Sequence, residues 1–282
     1  MNCLLRKTLG WLVATRYAIL RSSKLQLYDN DAAVFAIFSH NPTARVFGDV
    51  IRWLRKERFA FVSTDDLLNG RLPAGRKAWL TFDDGWLACK DVVLPIAEKE
   101  GVPFTIFIAP QETMRGEMWT AHVPSERKQE LYALPDEERY AIVDKMFSQQ
   151  VKRSLLSVED VKTLSRHPLV TIENHTWSHL SCAHRPTSSV MDSVAKATVA
   201  ISDWTGRRPR MVCYPFGHWT DETDCAIRAA GYVPVTIQPG VMTCDALGRF
   251  RNLFYDNMSF LENSCRIVGA WRKIKDQKSG QF

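Results

Sequence analysis

Two adjacent aspartates, Asp83 and Asp84, close the apolar run in LTFDDGW (residues 80–86), just before a glycine. Side by side, two carboxylates repel each other and favour solvent, so such a pair at the end of a buried strand calls for a nearby cation or a reaction that uses it. A second cluster is HTWSH, from His175 to His179. On a helical turn this spacing places two imidazoles on one side, about 5–6 Å apart at Cβ, close enough to share one ion. With a carboxylate delivered from elsewhere, two histidines make a three-ligand site that leaves a position for water on zinc or a similar divalent metal. Taken singly, each cluster has a plainer reading. H-x-x-x-H also occurs as a polar surface or core pair, and two aspartates also cap a helix N-terminus. A third cluster, Pro215-Phe216-Gly217, closes MVCYP.

The elements around these clusters alternate. VFAIFS (34–39), FAFVS (59–63), AWLTF (78–82), VPFTIFIA (102–109), LVTIE (169–173), MVCYP (211–215), YVPVTI (232–237) and FRNLF (250–254) read as strands. Most are apolar without alternation, as in a parallel sheet buried on both faces. Between them lie helical patterns at 43–57, 87–100 (with Pro95 interrupting and Gly101 ending it), 188–204 and 221–230. A polar helical insert covers about 115–166, where PDEERYAIVDKMF and SVEDVKTL predict helices with Asp136 and Ser157 as caps, and it could serve as a lid or partner surface. Repeated βα units predict a doubly wound sheet or a (β/α) barrel. In a barrel all three clusters open onto the C-terminal face of the strands, where catalytic groups gather.

The remaining features set bounds. A chain of 282 residues, 45% hydrophobic and 24% charged, has ample material for one catalytic domain, expected over 31–282. Net charge is +6, concentrated towards both ends, and no nucleic-acid-binding signature accompanies it. An anionic membrane surface or anionic substrate suits that charge better. Residues 1–30 read as a basic amphipathic segment: on a helical wheel Leu4, Leu5, Leu9, Trp11, Leu12, Ile19 and Leu20 share an arc opposite Arg6, Lys7, Arg21 and Lys24, with Arg16 as the outlier. It is too short and charged to span a bilayer, and no small-residue cleavage site follows it. Residues 4–24 could instead lie in a membrane interface or pack on their own domain. Seven scattered cysteines without a CxxC pair argue against a disulfide framework and for a reducing compartment. The expected location is cytoplasmic, with peripheral contact at the inner face of a membrane.

TFDDG, HTWSH and YPFG, in this order and each at a strand end, resemble the polysaccharide deacetylase family, also called the NodB-homology or carbohydrate esterase family four group. The resemblance runs from about Val34 to Phe260 and implies a distorted, seven-stranded (β/α) barrel. It further implies that Asp83 is the general base, that Asp84, His175 and His179 hold the metal, and that the Phe216 amide donates to the oxyanion. The metal expected is zinc, with cobalt, nickel or manganese also accommodated by this ligand set. No histidine follows His218, so the family's usual C-terminal acid is absent. VFAIFSH (34–40) resembles the circularly permuted members, in which a first strand ends in the acid, and this nominates His40. As a plainer alternative, His40 is a solvated histidine at a strand end.

Two departures stand out. The usual R-x-P-x-G motif reads Cys213-Tyr214-Pro215-Phe216-Gly217, without the arginine that pairs with the base, and D-x-x-D-W is not recognisable, DETDC (221–225) reading as a helix start. Arg249 or Arg251 could supply the missing charge. Trp86, Pro215, Gly217, His218 and Arg251 are the candidate substrate-binding residues, and Trp177 and Trp219 could also stack on sugars. His122, His167 and His184 read as surface or supporting residues. The expected activity is metal-dependent removal of an N-acetyl group from a sugar of a cell-surface polysaccharide, oligosaccharide or lipid-linked precursor. A sugar N-deformylase, a hydrolase of small cyclic amides and a non-catalytic glycan-binding subunit are the alternatives.

Overall fold

The computed structural model describes residues 21, 23–121, 123–146, 152–256 and 258–267. The chain opens with β1 (Ala33–Ser39), then α1 (Ala44–Lys56), β2 (Ala60–Phe61), α2 (Thr64–Leu68) and β3 (Lys77–Phe82). A π-helical turn at Cys89–Val93 passes into α3 (Leu94–Glu100), and β4 (Phe104–Ile108) follows. Pro95 therefore begins an α-helix rather than breaking one, since its missing N–H falls in the first turn. Next come α4 (Pro110–Arg115), α5 (Ser125–Tyr132), α6 (Asp136–Met146), α7 (Val158–Ser165), β5 (Val170–Asn174) and α8 (Thr187–Thr205). The chain continues through β6 (Met211–Cys213), α9 (Asp221–Ala229), β7 (Val233–Val235), β8 (Met242–Thr243), β9 (Asn252–Leu253) and α10 (Phe260–Ile267).

One sheet curls through seven strands in the order β7-β6-β5-β4-β3-β1-β8, with β2 on β3 and β9 on β1. Every pairing is parallel except β1 with β8. Both faces are buried, as the uninterrupted apolar strands require. Val34, Ala36, Trp79, Phe107, Met211 and Cys213 fill the inside of the curl. Phe35, Ile37, Leu80, Phe82, Ile106 and Ile108 lie under the outer helices.

The ladder stops at β7, yet the backbone beyond it closes the curl by irregular bonds. Thr236 N–H donates to Gly248 O at 2.8 Å, and Arg251 N–H to Gln238 O at 2.9 Å. The chain then joins β1 as β9, with Asn252 opposite Ile37. This closure carries Arg251 into the barrel interior.

The insert builds its own small core from Trp119, Val123, Leu131, Tyr140 and Val143, on which Phe216 packs. Of the 4–24 segment expected to meet a membrane, residues 4–20 and 22 lie outside the described residues, as does His122. Arg21 is ion-paired with Glu57, and Leu25 and Tyr28 are buried, Tyr28 edge-on to Phe35 at 4.9 Å. Among the described residues no helix is long and apolar enough to cross a membrane.

Candidate active site

The sheet register sets the site. Ser39 pairs with Phe82, and Ile108 with Asn174. His40, Asp83 and His175 are each the residue that follows a strand end, so all three emerge on the C-terminal edge. There the backbone turns sharply. Among the described residues five non-glycines have left-handed φ, and four of them lie in the three motifs: Asp84 (72°), Thr176 (65°), His179 (50°) and Phe216 (62°). Each costs of order 1–3 kcal/mol, a strain typical of functional loops. HTWSH is consequently not the helical turn its spacing predicts. It is a loop whose two left-handed residues, not a helical period, bring the imidazoles together. Asn174 Oδ1 accepts from Thr176 N–H at 2.7 Å, and Ser193 Oγ from Trp177 N–H at 2.9 Å.

Asp84, His175 and His179 converge, all buried. Asp84 Oδ1 lies 3.4 Å from His175 Nε2 and 3.2 Å from His179 Nε2, yet it makes no aligned hydrogen bond. A buried carboxylate oxygen left in that state, facing two imidazole nitrogens, fits a cation between them. Trp86 Nε1–H donates to the other oxygen of Asp84 at 3.1 Å. His175 Nδ1 meets Cys213 O at 2.8 Å, which fixes the tautomer that frees Nε2 for a metal. Burial would raise Asp84, but the imidazoles of His175 and His179 and the charge of His40 hold it well below the usual carboxylate range. Burial lowers His179 to about 4, against the pull of Asp84, so its ring is neutral and ready to ligate. Burial also pulls His175 down but is outweighed by Cys213, Asp84 and Asp83, so its pKa is raised. A metal held there would displace a proton, so its affinity would fall as the pH is lowered.

Asp83 points inward. Arg251 holds it with two parallel bonds, Nη1–H to Oδ1 and Nη2–H to Oδ2, each 2.8 Å. The guanidinium is fully buried between Phe38 and Phe107, and also donates to Thr81 Oγ1 (2.8 Å), Thr236 O (2.9 Å) and Cys213 Sγ (2.8 Å). Burial alone would raise Asp83, but the charge and hydrogen bonds of Arg251 bring it below its ordinary value. Arg251, not Arg249, is therefore the positive charge beside Asp83. Its nomination as a substrate-binding residue is corrected: it has no exposed surface. A second convergence, Asp83 with His175 and Cys213, also has ligand-like atoms. The Arg251 guanidinium already bridges Asp83 and Cys213, so a cation there would meet a buried positive charge.

His40 is half-buried beside the pair, close enough to lower the pKa of both aspartates. Asp256 anchors its turn, accepting from Ser39 Oγ–H, from His40 N–H at 3.3 Å and from Asn41 N–H at 3.0 Å. Pro215 is buried, and the Phe216 ring packs on His179 with centroids 4.4 Å apart. Gly217 has φ 70°, and a Cβ there would collide with Ile237, so only glycine closes this turn. His218 is half-buried with Nδ1 2.9 Å from Ser181 Oγ. Lys196 Nζ sits 4.1 Å over the Trp177 ring, and Trp219 stacks on Tyr214, so each of these half-buried rings has one face occupied.

Sequence reasoning missed the support behind His179. Arg139 Nη2–H donates to Ser178 O at 3.0 Å and Trp119 Nε1–H to His179 O at 3.2 Å, both from the insert. Glu112 accepts from Tyr140 and, at 2.7 Å, from Trp119 N–H. Burial raises Glu112 to about 7. No spacing in the sequence marks these residues, because the insert's polar pattern conceals a buried guanidinium. Arg139→Leu is expected to weaken metal binding about tenfold by loosening the His179 loop, the lower end of the effect seen for residues that orient metal ligands. A cobalt titration followed by its visible spectrum checks this; unchanged affinity would remove Arg139 from that role.

The sequence profile named Polysaccharide deacetylase matches residues 71–235, more than half of the chain. The chain belongs to the polysaccharide deacetylase family. No curated protein matches it. Among solved structures it is similar to the Streptococcus pyogenes deacetylase PplD in complex with acetate, at 17% identity and TM-score 0.60, covering 85% of this chain and 99% of that one. It is also similar to IcaB from Ammonifex degensii (18% identity, TM-score 0.59, 85% of this chain, 97% of that one). The BpsB deacetylase domain from Bordetella bronchiseptica matches at 17% identity and TM-score 0.58, over 80% and 97% of the two chains. At these identities the structures speak to the fold, a distorted (β/α) barrel.

Proposed function

We propose that the protein is a divalent-metal-dependent carbohydrate N-deacetylase acting on an N-acetylated sugar of a cell-surface polysaccharide, oligosaccharide or lipid-linked precursor. The observation that carries this reading is the pair of adjacent carboxylates in opposite environments. Asp84 faces two imidazoles with an orphan oxygen, while Asp83 is held ionised by Arg251. Consecutive residues point to different sides, so one can ligate while the other works as a base. A divalent cation held by Asp84, His175 and His179 would supply Lewis acidity, with zinc, cobalt, nickel and manganese all compatible with this ligand set.

The chain's own groups divide the remaining work. Asp83 takes the proton from the attacking water, and its ionisation is secured by Arg251. The Phe216 N–H, on a turn that only Gly217 can complete, donates to the developing oxyanion. His40, at the end of β1, gives a proton to the departing amine. The absent motif arginine and the unrecognisable D-x-x-D-W were the grounds for a non-catalytic reading; the Arg251–Asp83 pair answers the first and favours an enzyme. The proposed location is cytoplasmic, at the inner face of a membrane, which the basic composition of residues 4–24 supports. Recovery of the native protein only from a secreted fraction would overturn that location.

The test is metal content by mass spectrometry, followed by assay of the loaded protein on N-acetyl and N-formyl amino sugars. The expected result is about one equivalent of divalent metal per chain, lost in His179→Ala, with acetate released faster than formate. Formate released faster would assign a deformylase. Absence of bound metal after reconstitution would overturn the proposal.

A further inference from the structure

Outward from His179 runs a continuous strip of rings that the chemistry above does not use. Phe216 packs on His179 at 4.4 Å, Tyr132 of α5 on Phe216 at 4.7 Å, and His218 on Phe216 at 5.4 Å. Tyr132 also contacts His218 at 5.0 Å and His184 at 5.4 Å, and the two imidazoles are 5.1 Å apart. Tyr132, Phe216 and His218 are half-buried and His184 is exposed, so each ring keeps open surface. Ser181, fully buried beneath them, holds both imidazoles by Nδ1: its Oγ is 2.7 Å from His184 and 2.9 Å from His218.

We infer that Tyr132, His184 and His218 form a subsite for a neutral sugar unit next to the one that carries the reacting acyl group; this rests on the deacetylase reading. The shared Ser181 hydroxyl has one proton to give. It donates to one Nδ1 and accepts from the other, so with both rings neutral the tautomers are opposite. One Nε2 carries a hydrogen and the other a lone pair. Among the described residues neither Nε2 has a hydrogen-bond partner, and the rigid pair presents one donor and one acceptor side by side. Two neighbouring sugar hydroxyls, each able to donate and accept, satisfy both. A phosphate or carboxylate, which only accepts, would leave the lone pair facing an anion. Burial holds His218 below its usual value. The Tyr132 ring adds an apolar face for the C–H side of a pyranose. Because Tyr132 belongs to the insert, the insert builds a substrate wall besides supporting His179.

The test compares N-acetylglucosamine with its β-1,4-linked tetramer as probes. Calorimetric titration of the zinc-loaded Asp83→Asn protein, in which the probe is not consumed, is paired with kcat/KM of both probes in the parent background. Tyr132→Ala and His184→Ala are each expected to lower the tetramer-over-monomer preference about tenfold, the scale of one stacking or hydrogen-bonding contact. Tyr132→Phe, which keeps the ring, is expected to retain it. An unchanged preference in Tyr132→Ala and His184→Ala, or a parent without any preference, would overturn the subsite. A protein that releases no acetate but still binds the tetramer in a Tyr132-dependent way would overturn the deacetylase reading and leave the subsite standing.

Discussion

Asp83→Asn is expected to lower turnover by roughly 10²–10⁴-fold while the metal stays bound, the range that a positioned general base contributes. The separation follows from geometry. Asp83 contacts Arg251 on both oxygens, whereas the proposed cation site uses Asp84, its neighbour on the other side of the chain. An asparagine keeps the shape and one acceptor for Arg251 but cannot take a proton from water. Metal content and kcat for acetate release, measured on the same preparation, check this. Turnover within about tenfold of the parent would remove Asp83 as the base. Loss of metal together with turnover would show that the two aspartates act as one ligand.

Arg251→Leu is expected to destabilise the fold by about 3–5 kcal/mol, the cost of stripping one partner from a buried ion pair. Asp83 is then a buried carboxylate without a counter-charge. In the parent its pKa lies below the ordinary value, so its contribution is complete above that value and is lost as pH falls through the lowered one. In Arg251→Leu the sign reverses. Burial is the largest influence on Asp83 and pushes its pKa up, so the variant loses stability as pH rises past the ordinary carboxylate range. The acid limb of its pH–rate profile moves to higher pH for the same reason. Urea denaturation at pH 5 and pH 8 reads the reversal, and Asp83→Leu/Arg251→Met is expected to recover much of the stability without activity. Equal losses at both pH values would show that Arg251 matters by packing alone.

The strands and the outer helices were legible because burial on both faces writes long apolar runs, and the three motifs were legible because they sit where those runs stop. Other features depended on geometry that local pattern does not record. H-x-x-x-H predicts a helical turn, yet Thr176 and His179 turn left-handed, and nothing in a threonine or histidine announces a positive φ. Arg251 and Arg249 were indistinguishable as candidate partners, since only the irregular closure after β7 decides which one enters the barrel. Helix α5 escaped because SERKQELY has too few apolar residues to show a face, although Leu131 and Tyr132 carry its contacts. Ser181 and His218 are 37 positions apart, which no spacing rule joins.

The position of Arg251 in the chain has a consequence for synthesis. It follows Asp83 by 168 residues, after every residue of the proposed cation site has been made. During vectorial translation the carboxylate leaves the ribosome long before its counter-charge. Until β9 docks, Asp83 lacks the guanidinium that holds its pKa below the ordinary value. The last strand among the described residues brings that guanidinium in between Phe38 and Phe107. The counter-charge of the proposed base is thus among the last parts of the site to be made.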